Sequence, residues 1–321
     1  MRNNSIWLNG IMGVVVGDAL GLPVQFSYRE ELEEKPVTEM IGHGVFHMPE
    51  GSWSDDSSLT LAALSSINEL NGIDCQDIMK RFVRWYDHGE YTPFGYAYDI
   101  GYTCEMAICR YKETQDHNKC GLDDERSNGN GSLMRIMPAC LYVYEKVMRS
   151  DMTEEQGVEL IHEVSALTHA HLRSKIACGM YYFLVKSVMN HSGTLQERLQ
   201  AGIDEAMQCY HKDVGNLVQL TYYHRLLHLE EFKQVPRDRI KSGGYVVETM
   251  EAALWCLLHT DNLKDCLLLA VNLGYDTDTV AAVAGGLAGL FYGYESIPDE
   301  WLEKLQKRFW IKRMCEERIG G

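Results

Sequence analysis

Near its C-terminal end the chain carries an apolar stretch in which Val280, Val283, Ala284, Leu287, Leu290 and Phe291 fall at helical spacing, interrupted by Gly285, Gly286 and Gly289. A glycine inside a helix costs about 1 kcal/mol relative to alanine. Three of them need a packing reason, and the one available is a second backbone lying close against this one. The stretch, residues 279–294, is bounded by Asp278 and Glu295 and is about one turn short of a membrane span. It reads as the buried central helix of a helical fold.

Other segments repeat the period. Leu59, Ala63, Ile67 and Leu70 share a face that stops at Asn71-Gly72, a left-handed cap signal. Ile78, Phe82 and Trp85-Tyr86 suggest a further helix, and Val158, Ile161, Val164, Ser165 and Thr168 another ahead of His169. Only Gly13 to Val16 and Tyr245 to Val247 offer short strand candidates. With seven prolines in 321 residues, no repeat and no linker, the expectation is a single all-α domain over residues 1–321. The polar stretch 112–131 reads as a long loop, a class that is commonly functional.

Charge narrows the function. The chain has 30 Lys and Arg against 46 Asp and Glu, a formal net charge of -16, and no basic run longer than two residues. No nucleic-acid partner is expected, because a phosphodiester backbone would be repelled. The apolar N-terminal run at residues 6–17 is broken by Asn9 and followed by Asp18, a poor leader peptide, so no membrane partner is expected either. Ten cysteines contain no CxxC pair and lie in apolar segments, which fits reduced, buried thiols and a cytoplasmic location.

Four constellations could carry chemistry. Gly51-Ser52-Trp53-Ser54-Asp55-Asp56-Ser57 opens a helix, where Ser and Asp also serve as caps. Gly274-Tyr275-Asp276-Thr277-Asp278-Thr279 opens the glycine-bearing helix; in extended backbone its two carboxylates would project to one side and repel unless a cation sits between them. Together Ser54, Asp55, Asp56, Asp276, Asp278 and Thr279 form an all-oxygen donor set suited to Mg²⁺ or Mn²⁺, and such a set could hold two ions about 3.5 to 4 Å apart. Ser127-Asn128-Gly129-Asn130-Gly131-Ser132 reads either as a plain turn or as a cradle of N–H groups for a phosphate. His169, in Thr168-His169-Ala170-His171, can face a pocket from a helix end, whereas His224 and His228 fit an exposed face.

The order of these motifs resembles the ADP-ribosylglycohydrolase family. It rests on Gly17-Asp18-Ala19-Leu20-Gly21, Ser54-Asp55-Asp56, the Gly129-Asn130-Gly131 loop with Met134-Arg135, Thr168-His169 and Asp276-Thr277-Asp278-Thr279, and spans most of the chain. The resemblance implies an all-α bundle with a binuclear magnesium cleft that binds ADP-ribose or an ADP-ribosylated protein and hydrolyses the bond at the anomeric carbon of ADP-ribose attached to a protein side chain or small molecule. It implies that the six oxygen donors are metal ligands with Asp278 bridging, and that residues 127–132 hold the diphosphate. By the same match His169 contacts ribose or phosphate, Tyr245 lines the cleft, and Asp99 lies near the scissile bond.

One position departs from the pattern. Where the family usually carries Glu, this chain has Gln25, after Gly17-Asp18-Ala19-Leu20-Gly21-Leu22-Pro23-Val24. Gln can hydrogen-bond or coordinate but cannot accept a proton at neutral pH, and loss of a general base typically costs about 10² to 10⁴ in rate. Glu30 and Glu31 lie close by in sequence. The leading expectation is a hydrolase whose catalytic residues are Asp99, as the remaining acid or base, and Gln25; the alternative is a non-catalytic ADP-ribose binder, and a third reading is a metal-dependent phosphohydrolase.

Overall fold

Two helices can touch backbone to backbone only where side chains are missing, and the fold is arranged around one such pair. The computed structural model describes residues 5–317. Its helices are α1 (Ile6–Gly21), α2 (Arg29–Glu34), α3 (Asp55–Leu70), α4 (Cys75–His88), α5 (Tyr102–Thr114), α6 (Met137–Met148), α7 (Glu154–Ala166) and α8 (Leu172–Asn190). The second half contributes α9 (Leu195–Tyr210), α10 (Leu217–Leu220), α11 (Leu229–Lys233), α12 (Val246–Leu258), α13 (Leu263–Val271), α14 (Thr277–Tyr292), α15 (Asp299–Lys304) and α16 (Arg308–Glu317). Among the described residues only isolated bridges occur, His43 with Met48, Leu122 with His169 and Gly129 with Tyr245. The protein is all-α.

The central pair is α1 and α14. A Cβ placed on Gly13 would fall into the Gly285 carbonyl, one on Gly285 into the Gly13 carbonyl, one on Gly17 into Ala281, and one on Gly21 into the backbone of Asp278. Rising numbers on α1 meet falling numbers on α14, so the pair is antiparallel. The end of α1 therefore meets the start of α14, where Thr277 Oγ1 donates to the Gly21 carbonyl at 2.8 Å. Residues 6–24 are long and apolar enough to cross a membrane, with mean hydropathy 1.4, but 83% of the window is buried in the protein. Burial among other helices accounts for that apolarity.

Caps fix where the flanking helices begin. Ser54 opens α3, accepting from the N–H of Asp56, and Asn71 closes it in the left-handed region at φ 49. Reciprocal Thr/Gln and Thr/Glu capping boxes start α7 and α9. Neither short strand candidate forms a strand. Gly13 to Val16 lies inside α1, where all-round burial against α14 overrides the β preference of valine, and Tyr245 makes a single bridge before α12 begins at Val246. Stretch 112–131 is irregular apart from the end of α5 and a short 3₁₀ turn at His117–Lys119. Every one of the ten cysteines is a free thiol, and all but Cys109 and Cys209 are buried.

Candidate active site

Buried Asp18, near the end of α1, sets the start of α3. Its carboxylate accepts from Ser54 N at 2.9 and 3.1 Å, from Ser57 N at 2.9 Å and from Ser57 Oγ at 2.5 Å. These bonds hold the N–H groups of the first turn that have no partner within the helix, and burial pushes the Asp18 carboxyl up to about 6 despite them. Ser54 caps the helix and donates to Asp56 Oδ2 at 3.0 Å, leaving Asp56 Oδ1 buried with no partner. Burial, then the neighbouring aspartates, push Asp55 and Asp56 well above the usual carboxylate range.

The second acidic group differs from its sequence reading. Asp276 and Asp278 are not a pair on extended backbone, because α14 starts at Thr277 and takes Asp278 into its first turn. Asp276 faces the cleft and accepts from Asn130 Nδ2 at 2.6 Å, whereas Asp278 is fully buried behind it with Oδ2 unpartnered. Burial and the repulsion of Asp56 and Asp99 push Asp278 well upward. Thr279 joins the two groups, donating from Oγ1 to Asp56 Oδ2 at 3.3 Å.

Asp99 approaches from outside the helices in a left-handed conformation at φ 55. Its Oδ2 is buried without a partner, and burial pushes the carboxyl up to about 7. Gln25 sits where the turn after α1 ends, buried, its Oε1 without a partner. Glu30 and Glu31 are exposed on α2, with Glu31 accepting from Tyr28 N, so neither replaces it.

The glycine loop forms the opposite wall. Asn130 N donates to Gly244 O and Val246 N to Asn128 O, both at 3.0 Å, which pins the loop to the start of α12. Gly129, Asn130, Gly131 and His169 face a cleft of about 570 Å³ together with Gln25, Asp55, Asp56, Asp99, Asp276 and Thr279. The rest of the expected set lies behind these walls. Ser127 donates to Asp124, Asn128 accepts from Ser174, and Ser132 accepts from Ser165, all buried and occupied in holding the loop. Ser54 and Asp278 lie beneath the acidic wall. Tyr245 does not wall the cleft as expected, because its ring packs toward the Arg173 guanidinium, 5.8 Å away.

Several residues here escaped the sequence reading. Asp18 and Arg135 were visible only as letters in a motif, and exposed Phe26, Tyr28, Tyr102 and Tyr275, which frame the mouth, carry no periodic signal. His224 and His228 are exposed, on a 3₁₀ turn and at the cap of α11.

The donor chemistry suits a hard divalent cation. Among the described residues no three carboxylate, imidazole or thiolate groups form a converged ligand set; the hydroxyls of Ser54 and Thr279 both donate to Asp56 Oδ2. Yet Asp56 Oδ1, Asp278 Oδ2 and Asp99 Oδ2 are buried acceptors with no donor, a costly arrangement that a cation would relieve. All are oxygens, which favours Mg²⁺ or Mn²⁺ over zinc.

Comparison with known proteins places this geometry. The profile of the ADP-ribosylglycohydrolase family matches residues 6–320. An ADP-ribosylarginine hydrolase Tri1 of Serratia proteamaculans is 31% identical over 307 residues, covering 96% of this chain and 77% of that protein. An ADP-ribosyl-dinitrogen reductase glycohydrolase of Rhodospirillum rubrum is 30% identical over 98% of this chain and 94% of its own length. A solved structure described as an ADP-ribosylglycohydrolase-related protein complex superposes with a TM-score of 0.78 at 30% identity, over 98% of this chain and 97% of that one. The protein is a glycosyl-bond hydrolase by class. More narrowly, the chain belongs to the ADP-ribosylglycohydrolase family.

Proposed function

We propose that the protein is a cytoplasmic, metal-dependent hydrolase that cleaves the bond at the anomeric carbon of ADP-ribose carried by a protein side chain or small molecule, with two Mg²⁺ (or Mn²⁺) ions as cofactors. The observation that carries the reading is the pair of unpartnered carboxylate oxygens of Asp56 and Asp99 at one wall of a cleft, with that of Asp278 buried behind them, opposite the Gly129 to Gly131 loop and His169. Ser54, Asp55, Asp56, Asp276, Asp278 and Thr279 would hold the ions. Such ions supply Lewis acidity and a water activated at neutral pH.

The chain's own residues do the rest. Gly129, Asn130 and Gly131 seat the diphosphate, His169 hydrogen-bonds to a phosphate or ribose oxygen, and Asp99 takes or returns the proton. Gln25 orients water through its free Oε1. Arginine-linked ADP-ribose is the first substrate to assay, since the Serratia relative is named for that linkage. Purified protein with Mg²⁺ or Mn²⁺ is expected to release intact ADP-ribose from at least one of arginine-, serine- or acetyl-linked substrates. No release from any of them contradicts the proposal, and release of AMP selects a phosphohydrolase instead.

A second reading is favoured by Gln25 itself, a buried amide at the position where the family resemblance implies a glutamate. On that reading the protein binds ADP-ribose without turning it over. Calorimetry would then give micromolar binding with no product, and Gln25→Glu would gain about 10²-fold or more in turnover.

A further inference from the structure

The imidazole of His169 belongs to a hydrogen-bonded chain whose protons can be counted. It begins at Arg135, fully buried, with its guanidinium stacked 4.8 Å from the Phe82 ring and its Nε without a hydrogen-bond partner. A guanidinium can only donate, and Arg135 Nη2 donates to Thr168 Oγ1 at 2.7 Å. The same hydroxyl lies 2.8 Å from His169 Nδ1.

A threonine hydroxyl owns one proton. The nearby Cys104 thiol points to the Gly131 carbonyl, 4.0 Å away; burial pushes it up to about 12, so it keeps its own proton, and its sulfur is a weak acceptor. The imidazole nitrogen is the stronger acceptor, so the Thr168 proton goes to Nδ1. A neutral ring then carries its proton on Nε2. Burial and the nearby Arg135 charge hold the imidazolium off down to about 3, so the ring is neutral at working pH.

The ring sits against the glycine loop. A Cβ at Gly129 would come within 3.3 Å of Nε2, and one at Gly131 within 2.9 Å of Cε1. Its backbone is fixed by the bridge to Leu122. We propose that Arg135 and Thr168 are positioning residues that hold His169 as the neutral Nε2–H tautomer, so that the cleft presents a fixed N–H donor rather than an acid or base. A positive charge stands two hydrogen bonds behind that donor and polarises it without entering the cleft. The chemistry that fits is an anionic phosphate oxygen or a ribose oxygen. This last step rests on the proposed function; the tautomer does not.

Imidazole ¹⁵N NMR of the full chain labelled at histidine, with His169 assigned by its loss in His169→Gln, reads the tautomer directly. The expected spectrum at pH 7 shows Nε2 protonated and Nδ1 bare. In Thr168→Val the ring should show both tautomers, and ADP-ribose binding measured by calorimetry with Mg²⁺ should weaken about tenfold; Thr168→Ser should restore both properties. A proton on Nδ1, an imidazolium, or a Thr168→Val protein with unchanged spectrum and affinity overturns the proposal. If Thr168→Val does not fold, the wild-type spectrum still decides. A chain that binds no ADP-ribose sinks the proposed function while leaving the tautomer result intact.

Discussion

Asp18 has no route to solvent, yet it controls residues far along the chain. Its carboxylate gathers the N–H groups of Ser54 and Ser57 and the Ser57 hydroxyl, and so aims the helix start that carries Asp55 and Asp56. Asp18→Ala would leave those donors buried without an acceptor. The expected loss is roughly 2 to 5 kcal/mol in urea denaturation, since each orphaned group costs about 1 to 3 kcal/mol. Catalysis should fall with it, because Asp55 and Asp56 lose their anchor. A variant as stable as the parent would show that α3 is aimed by something else. Sequence showed this acid only as one letter of Gly17-Asp18-Ala19-Leu20-Gly21. Its partners lie 36 and 39 residues away, beyond any local pattern.

At the scale of the helix, the glycines of α14 announced a close partner but not which one. The partner, α1, was obscured because its valines favour strands when read locally, and only burial on every side makes the helix the better solution. The contact gives a clear expectation. Gly13→Ala sets a methyl group into the Gly285 carbonyl, where backbone cannot yield as a flexible side chain would, and should cost about 3 kcal/mol or more. Gly72→Ala is the control, with its nearest atom 3.7 Å away, and should stay within about 0.5 kcal/mol of the parent. Thermal denaturation of the two variants compares them; equal midpoints would contradict the account. The same local blindness explains Asp276 and Asp278. Periodicity placed a helix after the acids, whereas its first turn includes Asp278 and turns that side chain away from its neighbour.

The whole molecule gathers more negative charge at one wall than its surroundings can neutralise, and its stability should respond to pH accordingly. Asp18 and Asp99 are held up to about 6 and about 7 by burial, with Asp55, Asp56 and Asp278 also raised. Between the ordinary carboxyl value of 3.8 and about 7 the folded chain therefore holds protons that the unfolded chain has released. Stability in chelator should fall as pH rises through that window. His162 and His169, held down to about 4 and about 3 by burial, act in the opposite sense below their ordinary 6.5, but they are outnumbered. The melting midpoint in chelator should drop by several degrees from pH 5 to pH 8, and excess Mg²⁺ should remove the drop. A midpoint that rises with pH, or that ignores Mg²⁺, would contradict the proposed ion site. At this scale the all-α fold and the acidic motifs were legible in sequence, since helical period and paired aspartates are local. The cleft was not, because its walls meet only through distant contacts. Thr277 and Gly21, joined by a hydrogen bond, stand 256 residues apart. A growing polypeptide thus has no site to use until its last long core helix has emerged and docked on its first. Activity during synthesis would switch on late and all at once, and folding, dominated by so remote a pairing, should be slow for a helical protein of this size.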